Sequence, residues 1–125
     1  MNLSTALIID DEPDICFLLG NVLKQKKYAV VNSNSLMDGK LKLTSVRPGL
    51  LFLDNQLPDG SGLREIKAIR KDFPDMKIIL MSAHDESTEK KTALLNGADL
   101  FLSKPLSQES IESSIEKLFE KKPNL

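Results

Sequence analysis

Five short apolar runs recur along the chain, and none of them alternates with polar residues. The runs occupy residues 5–9, 28–31, 50–53, 78–81 and 100–102. Runs of this length and composition are typical of parallel strands that are covered on both faces. Between the runs, apolar residues recur at helical spacing, most clearly in the first such segment, at Ile15, Leu18, Leu19, Val22 and Leu23. The pattern predicts five strands that alternate with five helices.

The other four helical segments differ in regularity, but their boundaries carry helix signals. Their apolar positions are Leu36, Leu41 and Leu43, less regular than the first; Leu63, Ile66, Ile69 and Phe73; Ala93, Leu94 and Leu95, the weakest; and Ile111, Ile115, Leu118 and Phe119. Pro13 suits a first helical turn, Gly97 suits a left-handed helix end, and Ser107 suits an N-cap. These signals indicate where the first helix begins, where the fourth ends and where the last begins.

A chain of this pattern folds as one domain. Short connections and right-handed crossovers arrange it as a three-layer α/β domain, in which a parallel five-stranded sheet has helices on both faces. Residues 58–62, Pro-Asp-Gly-Ser-Gly, have the composition of a turn and are numerous enough for a functional loop. The domain is predicted to span residues 1–121, and residues 122–125 to form a tail or the start of a linker.

Composition narrows the class of partner. The 125 residues include 17 Lys and Arg and 18 Asp and Glu, so the net charge of −1 directs the chain neither to nucleic acid nor to an anionic membrane. No basic stripe or recognition motif indicates DNA binding. The single cysteine, Cys16, cannot form an internal disulfide, and no apolar run approaches the length of a membrane span. We expect a reducing, cytoplasmic setting.

Polar residues follow four of the five predicted strands. They are Asp10 and Asp11, Asp54, Ser82, and Ser103 with Lys104. Because the carboxyl ends of parallel strands meet at one edge of a sheet, we expect these side chains to lie together. Carboxylates that cluster without a cation repel one another, and oxygen ligands suit Mg²⁺, which also accepts a phosphate oxygen. The pattern predicts a Mg²⁺-dependent phosphoryl site.

Asp54 is the best candidate for the nucleophile at this edge. It is a single acid at a strand end, and the glycine-bearing loop that follows leaves room for a phosphodonor. A carboxylate that accepts a phosphoryl group becomes an acyl phosphate. Mg²⁺ and Lys104 would neutralise the charge of the transferred group, and Ser82 would donate a hydrogen bond to it. Since that last contact exists only when phosphate is present, it biases a conformational equilibrium.

These residues resemble the receiver domain of two-component response regulators. The motifs that carry the resemblance are Asp10-Asp11-Glu12-Pro13; Asp54 with Leu57-Pro58 and Gly62; Met81-Ser82-Ala83-His84; Gly97-Ala98-Asp99; and Ser103-Lys104-Pro105. They occur in the family's order and spacing over roughly residues 4–121. The resemblance implies a flavodoxin-like sheet of order 2-1-3-4-5, a fold that places the acidic motifs beside its topological switch point.

The resemblance also implies a role for each residue of the acidic site. Asp54 is expected to be the phosphoacceptor and, with Asp11, a direct Mg²⁺ ligand. Asp10 is expected to bind the ion through water, and the backbone carbonyl of Gln56 to bind it directly. Gln56 and His84 occupy the positions that tune the access of water to the acyl phosphate.

A second group of residues is implied in the conformational response. Ser82 and Lys104 are expected to contact the phosphoryl group, and Phe101 matches the aromatic switch position, although plain core packing is an equal alternative for it. The bond from Lys104 to Pro105 matches a peptide that is usually cis in the family. Phosphorylation is then expected to alter the surface formed by the fourth helix, fifth strand and fifth helix.

The function predicted is therefore a phosphorylation-dependent switch, which is not a turnover enzyme. Its expected partners are a sensor histidine kinase or phosphotransfer protein as donor, and an output domain or downstream protein as receiver of the signal. A phosphorylation-dependent homodimer is a further expected assembly. Nucleic acid and membrane are not expected partners of this segment.

Two alternatives remain open at the level of sequence. A Mg²⁺-dependent phosphohydrolase of the haloacid dehalogenase type also forms an aspartyl phosphate after a strand. Its nucleophile is followed two residues later by an aspartate, whereas Glu12 and Gln56 occupy that position after Asp10 and Asp54. The other alternative is a receiver-like binding module that works without phosphorylation.

Overall fold

The computed structural model describes residues 2–83 and 87–119 and contains one central sheet of five parallel strands. These strands are β1 (Asn2–Ile9), β2 (Ala29–Ser33), β3 (Pro48–Asp54), β6 (Lys77–Ser82) and β7 (Leu100–Ser103). Two further strands, β4 (Gln56–Leu57) and β5 (Gly60–Ser61), form a small antiparallel hairpin after β3. Five helices complete the fold: α1 (Pro13–Gln25), α2 (Leu36–Val46), α3 (Gly62–Asp72), α4 (Ser87–Asn96) and α5 (Gln108–Leu118).

The sheet has the order β2-β1-β3-β6-β7, which confirms the predicted 2-1-3-4-5 topology. The chain leaves β1 for β2 on one side and returns to β3 on the other, so the switch point lies between β1 and β3. In the register of the sheet, Ile9 lies beside Leu53, Asp54 beside Met81, and Ser82 beside Ser103. The polar residues at these strand ends therefore share one edge of the sheet, where such folds bind ligands.

Two apolar layers hold the helices to the sheet. One layer joins the sheet to α2, α3 and α4 through residues such as Leu43, Ile66 and Ala93. The other joins the opposite face to α1 and α5 through residues such as Leu23 and Ile111. All seven positions of β3 are buried, which explains why its residues 50–53 form an unbroken apolar run.

Local chemistry sets the ends of the helices. Pro13 begins α1, where its missing N–H costs no hydrogen bond. Ser107 caps α5 and exchanges hydrogen bonds with Ser110 in a capping box. Gly97 follows α4 with a φ of +119°, a region that side chains with a Cβ rarely adopt. The helix signals in the sequence at these three positions are confirmed.

The sequence pattern was wrong in several details. Leu95 and Phe119, two of the apolar positions assigned to the fourth and fifth helices, are 87% and 50% exposed. Leu41 was counted among the inward positions of the second helix, but it is 68% exposed, whereas Leu36 and Leu43 are buried. The segment after Asp54 was expected to be a loop, and it contains the β4–β5 hairpin. Two-residue strands are too short to produce a periodic pattern, so the hairpin left no signal in the sequence.

Within residues 2–83 and 87–119, none of the helices is both long enough and apolar enough to cross a lipid bilayer. The predicted boundary between residues 1–121 and 122–125 falls outside the described residues and stays a prediction.

Candidate phosphoryl-acceptor site

Two buried aspartates and one lysine form the centre of the site. Asp10 and Asp54 are 1% and 3% exposed, at the ends of β1 and β3. The Nζ atom of Lys104 lies 3.1 Å from Oδ2 of Asp10 and 3.2 Å from Oδ1 of Asp54. The same Nζ lies 3.2 Å from Oε1 of Glu12, whose backbone N–H donates to Asp10. One ammonium group thus contacts three carboxylates.

The fold brings Lys104 to the aspartates from a distant strand. It follows β7, two strands away from β3, and neighbouring strands lie about 5 Å apart. Its backbone N–H donates to the carbonyl of Ser82 at 2.8 Å, and the Lys104–Pro105 peptide bond is cis. The hydrogen bond to Ser82 holds this backbone beside β6, and the long side chain spans the rest of the distance to Asp54.

The electrostatics of the site are dominated by burial. The pKa of Asp54 is raised to about 6, because burial and, to a smaller extent, the nearby Asp10 charge raise it by more than Lys104 lowers it. Burial likewise raises the pKa of Asp10. Burial alone would lower the pKa of Lys104, but its contacts with the carboxylates raise that pKa above its ordinary value. The lysine is thus a permanent cation, and the two aspartates carry more negative charge than it neutralises.

The donor set fits a hard divalent cation. Carboxylate oxygens of Asp10, Glu12 and Asp54 all lie within 4.8 Å of one another. Oδ2 of Asp10 is buried and has no hydrogen-bond partner of good geometry among the described residues; its nearest cation is Lys104. Asp11 is exposed and lies outside this cluster, but it lines the same cleft of about 350 Å³. An all-oxygen site with an open side suits Mg²⁺, which keeps waters and one phosphate oxygen.

The loop after Asp54 is held close to it. A Cβ atom at Gly62 would collide with the backbone oxygen of Asp54, so only glycine fits there. Asp59, in the turn of the β4–β5 hairpin, accepts hydrogen bonds from the backbone N–H groups of Leu36 and Met37 at 2.8 and 2.9 Å. The hairpin is thereby fastened to the N-terminus of α2, and Gln56 in its first strand lines the cleft.

Ser82 lies at the same sheet edge, with its hydroxyl bonded to an acid that the sequence did not single out. Ser82 is 1% exposed, and its Oγ donates to Oε1 of Glu89 at 2.9 Å. The side-chain amide of Asn55 donates to the same oxygen at 2.7 Å. The carbonyl oxygen of this amide accepts from Ser61 Oγ and the Leu63 backbone N–H, which fixes its orientation. Asn55 thus connects the end of β3 to α3 and α4.

The structure thus separates the predicted residues into groups. Asp10, Asp54 and Lys104 are in contact, whereas Asp11 and Gln56 line the cleft around them. Phe101 is partly buried against the core, in line with both of its readings, packing and switching. His84 lies outside the described residues.

Sequence reasoning missed three acidic side chains that make contacts at or beside the site. They are Glu12 with Lys104, Glu89 with Ser82 and Asn55, and Asp59 with α2. Glu12 belongs to the motif Asp10-Asp11-Glu12-Pro13, so its place in the sequence could have predicted a contact at this site. Asn55 and Glu89 are 34 residues apart, and no periodicity marks a single long-range hydrogen bond.

The sequence relatives are regulatory proteins longer than this chain. The family model of the response regulator receiver domain matches residues 6–116. KdpE, the KDP operon transcriptional regulatory protein of Escherichia coli, is 35% identical over 103 residues, which are 82% of this chain and 45% of KdpE. The nitrogen assimilation regulatory protein NtrX of Azorhizobium caulinodans is 28% identical over 91% of this chain and 26% of NtrX. The chain spans less than half the length of either relative.

Solved structures show the same fold. A CheY-like response regulator receiver domain protein from Methanospirillum hungatei superposes with a TM-score of 0.85 at 25% identity, covering 94% of each chain. The beryllofluoride-activated NtrC4 receiver domain dimer superposes with a TM-score of 0.87 at 29% identity, covering 94% of this chain and 98% of the other. Fold, motif order and family match agree, and the chain belongs to the receiver domains of two-component response regulators.

Proposed function

We propose that Asp54 accepts a phosphoryl group from a phosphohistidine of a sensor histidine kinase or phosphotransfer protein, and that Mg²⁺ is required. The observation that carries the proposal is the contact of Lys104 with both Asp54 and Asp10 at the mouth of an open cleft. A buried carboxylate beside a fixed cation is suited to accept a group that brings negative charge. In the transfer, an oxygen of Asp54 bonds to phosphorus, the P–N bond breaks, and the imidazole leaves with the electron pair.

Mg²⁺ would supply the positive charge that the transferred group needs. Asp11 and Asp54 are proposed as direct ligands, the Gln56 carbonyl as a backbone ligand, and Asp10 as a ligand through water. The proximity of Asp10, Glu12 and Asp54 supports an ion at this edge. Lys104, which already contacts both buried aspartates, would neutralise an oxygen of a phosphoryl group on Asp54.

The signal is proposed to leave the site through Ser82 and Phe101. Ser82 donates to the new phosphoryl group, Phe101 repacks, and the surface of α4, β7 and α5 changes its preference for partners. An output domain or a downstream protein then reads this surface. The relatives, of which the matched segment makes up less than half, support an attached output domain as one such partner. The NtrC4 receiver dimer supports a homodimer of the phosphorylated form as another.

The chain is proposed to act as a stoichiometric acceptor that loses its phosphoryl group to water. It is therefore expected to carry one phosphoryl group per molecule and to show no steady turnover of a small phosphoester. Steady turnover would instead indicate a phosphohydrolase, and Mg²⁺ binding without labelling would indicate a module that works without phosphorylation.

Intact-mass analysis tests the proposal. The chain is incubated with Mg²⁺ and acetyl phosphate, and the expected product carries a single added phosphoryl group. The Asp54→Asn variant should gain none, whereas the control Asp75→Asn, at an exposed position, should be labelled like the parent. Omission of Mg²⁺ should abolish labelling of the parent and of Asp75→Asn. An unlabelled parent protein, or a labelled Asp54→Asn variant, would contradict the proposal.

A further inference from the structure

The Ser82 hydroxyl already uses its only proton in a hydrogen bond. A hydroxyl carries one donor hydrogen, and a carboxylate is an acceptor only, so the 2.9 Å contact assigns the proton of Ser82 to Glu89. A phosphoryl oxygen is also an acceptor. Ser82 therefore cannot donate to a phosphoryl group on Asp54 while it still donates to Glu89.

Asn55 donates a second hydrogen bond to Glu89. Its amide N–H₂ donates to the same Glu89 oxygen at 2.7 Å, and its other end is fixed by Ser61 and Leu63. Glu89 accepts two hydrogen bonds at one charged oxygen, and hydrogen bonds to charged groups are stronger than neutral ones. Because Asn55 directly follows the phosphoacceptor, this contact joins α4 to the residue beside the site of chemistry.

Packing does little to hold α4 in place. Ala93 is its one buried side chain, whereas Leu94 and Leu95 are 41% and 87% exposed. The position of an element with few buried apolar contacts depends more on its hydrogen bonds. Glu89, in the first turn of α4, accepts such hydrogen bonds from Ser82 and Asn55 at the edge of the sheet.

We propose that Glu89 is a positioning residue that holds the Ser82 hydroxyl in the unphosphorylated conformation. The inference rests on the proposed function and adds to it a free-energy cost of switching, which is the loss of the hydrogen bond between Ser82 and Glu89. Movement of Ser82 to the phosphoryl group must break its bond to Glu89, and the charge of the phosphoryl group repels the Glu89 carboxylate. Both effects release the first turn of α4, so phosphorylation at Asp54 is converted into motion of the helix whose leucines are exposed.

Beryllofluoride, a phosphoryl mimic, tests the inference when it is titrated with Mg²⁺ and followed by the amide NMR signals of α4. Glu89→Ala removes the competing acceptor, and we expect its apparent beryllofluoride affinity to rise about tenfold over the parent. Its α4 amide signals without beryllofluoride should also shift toward those of the bound parent. Glu89→Gln, which keeps the shape and one acceptor oxygen, should shift in the same direction by less.

Two controls separate this role from a general effect on a helix end. Glu109→Ala removes an acid from the first turn of α5 and should leave affinity and α4 signals as in the parent. In a Ser82→Ala background, Glu89→Ala should lose most of its effect on affinity, because the hydroxyl that it restrains is gone. A tenfold effect that persists without the Ser82 hydroxyl would overturn the inference.

Failure of the inference and failure of the proposed function give different results. If the parent takes up no beryllofluoride at Asp54, the proposed function fails, whatever Glu89 does. If the parent binds it and Glu89→Ala binds no more tightly than the parent, the inference alone is overturned and Asp54 remains the acceptor.

Discussion

Neutralising Asp54 should make the metal-free protein more stable at neutral pH than the parent. The carboxyl of Asp54 has a pKa of about 6 in the folded protein, mainly because it is buried, against an ordinary value of 3.8. The folded state therefore holds this proton more tightly than the unfolded state does. As the pH rises from about 4 to above 6, the unfolded chain gives up its proton first, and the folded protein loses stability.

The size of the effect follows from the shift. Two pKa units correspond to about 3 kcal/mol of unfolding free energy once both states are ionised. Asn at position 54 keeps an oxygen that accepts from Lys104 but carries no charge, so it removes this cost. Because Lys104 also loses an ionic partner in the variant, we expect a gain of about 1–3 kcal/mol at pH 7.5, and a gain about 2 kcal/mol smaller at pH 4.5, where the unfolded carboxyl is still largely ionised.

Urea unfolding in EDTA, followed by far-UV circular dichroism, measures this difference. The chain has no Trp and one Tyr, so the backbone signal is the better probe. Asp75→Asn is the matched control at an exposed position and should follow the parent at both values of pH. If Asp54→Asn gains no stability at pH 7.5, or gains as much at pH 4.5, burial does not raise the pKa of the Asp54 carboxyl.

Two further predictions concern the cation and the hairpin. Lys104→Ala should still be labelled by acetyl phosphate, at a reduced rate. Its α4 amide signals should not move on phosphorylation, because no ammonium draws the phosphoryl group toward β7. An NMR response like that of the parent would refute this role of Lys104. Asp59→Ala should lower the thermal midpoint by several degrees at neutral pH, because two N–H groups of α2 lose their acceptor. These N–H groups lower the pKa of Asp59. The stability that Asp59 contributes is therefore present above the ordinary pKa of the carboxyl and is lost as the pH falls through its lowered pKa. If the stability difference between Asp59→Ala and the parent does not shrink in acid, Asp59 does not stabilise α2 in this way.

The sequence predicted most of the fold because the core strands leave a strong local signal. Every residue of β3 is buried, and its residues 50–53 form the continuous apolar run that is typical of a strand covered on both faces. The position of Asp54 followed from the same signal, since it is the first polar residue after that run. Parallel pairing then placed Asp10 next to it without any knowledge of the side chains.

The parts that the sequence did not predict depend on single side-chain contacts between distant elements. Glu89 accepts from Ser82 and Asn55 only because α4 begins where it does over the end of β6. The apolar pattern of that helix is weak, since Ala93 is its one buried side chain. Leu41 misled the reading of α2 for a related reason: the helix has an irregular apolar face, and this leucine points to solvent.

The location of the phosphoryl group is the most direct test of the account. The chain is labelled with acetyl phosphate and Mg²⁺, the acyl phosphate is reduced with borohydride to homoserine, and the modified residue is found by peptide sequencing in the mass spectrometer. The account predicts homoserine at position 54 and unmodified aspartate at positions 10 and 11. Homoserine at either of those positions, or at none of the three, would contradict the claim that Asp54 is the residue that Lys104 and Asp10 prepare for phosphoryl transfer.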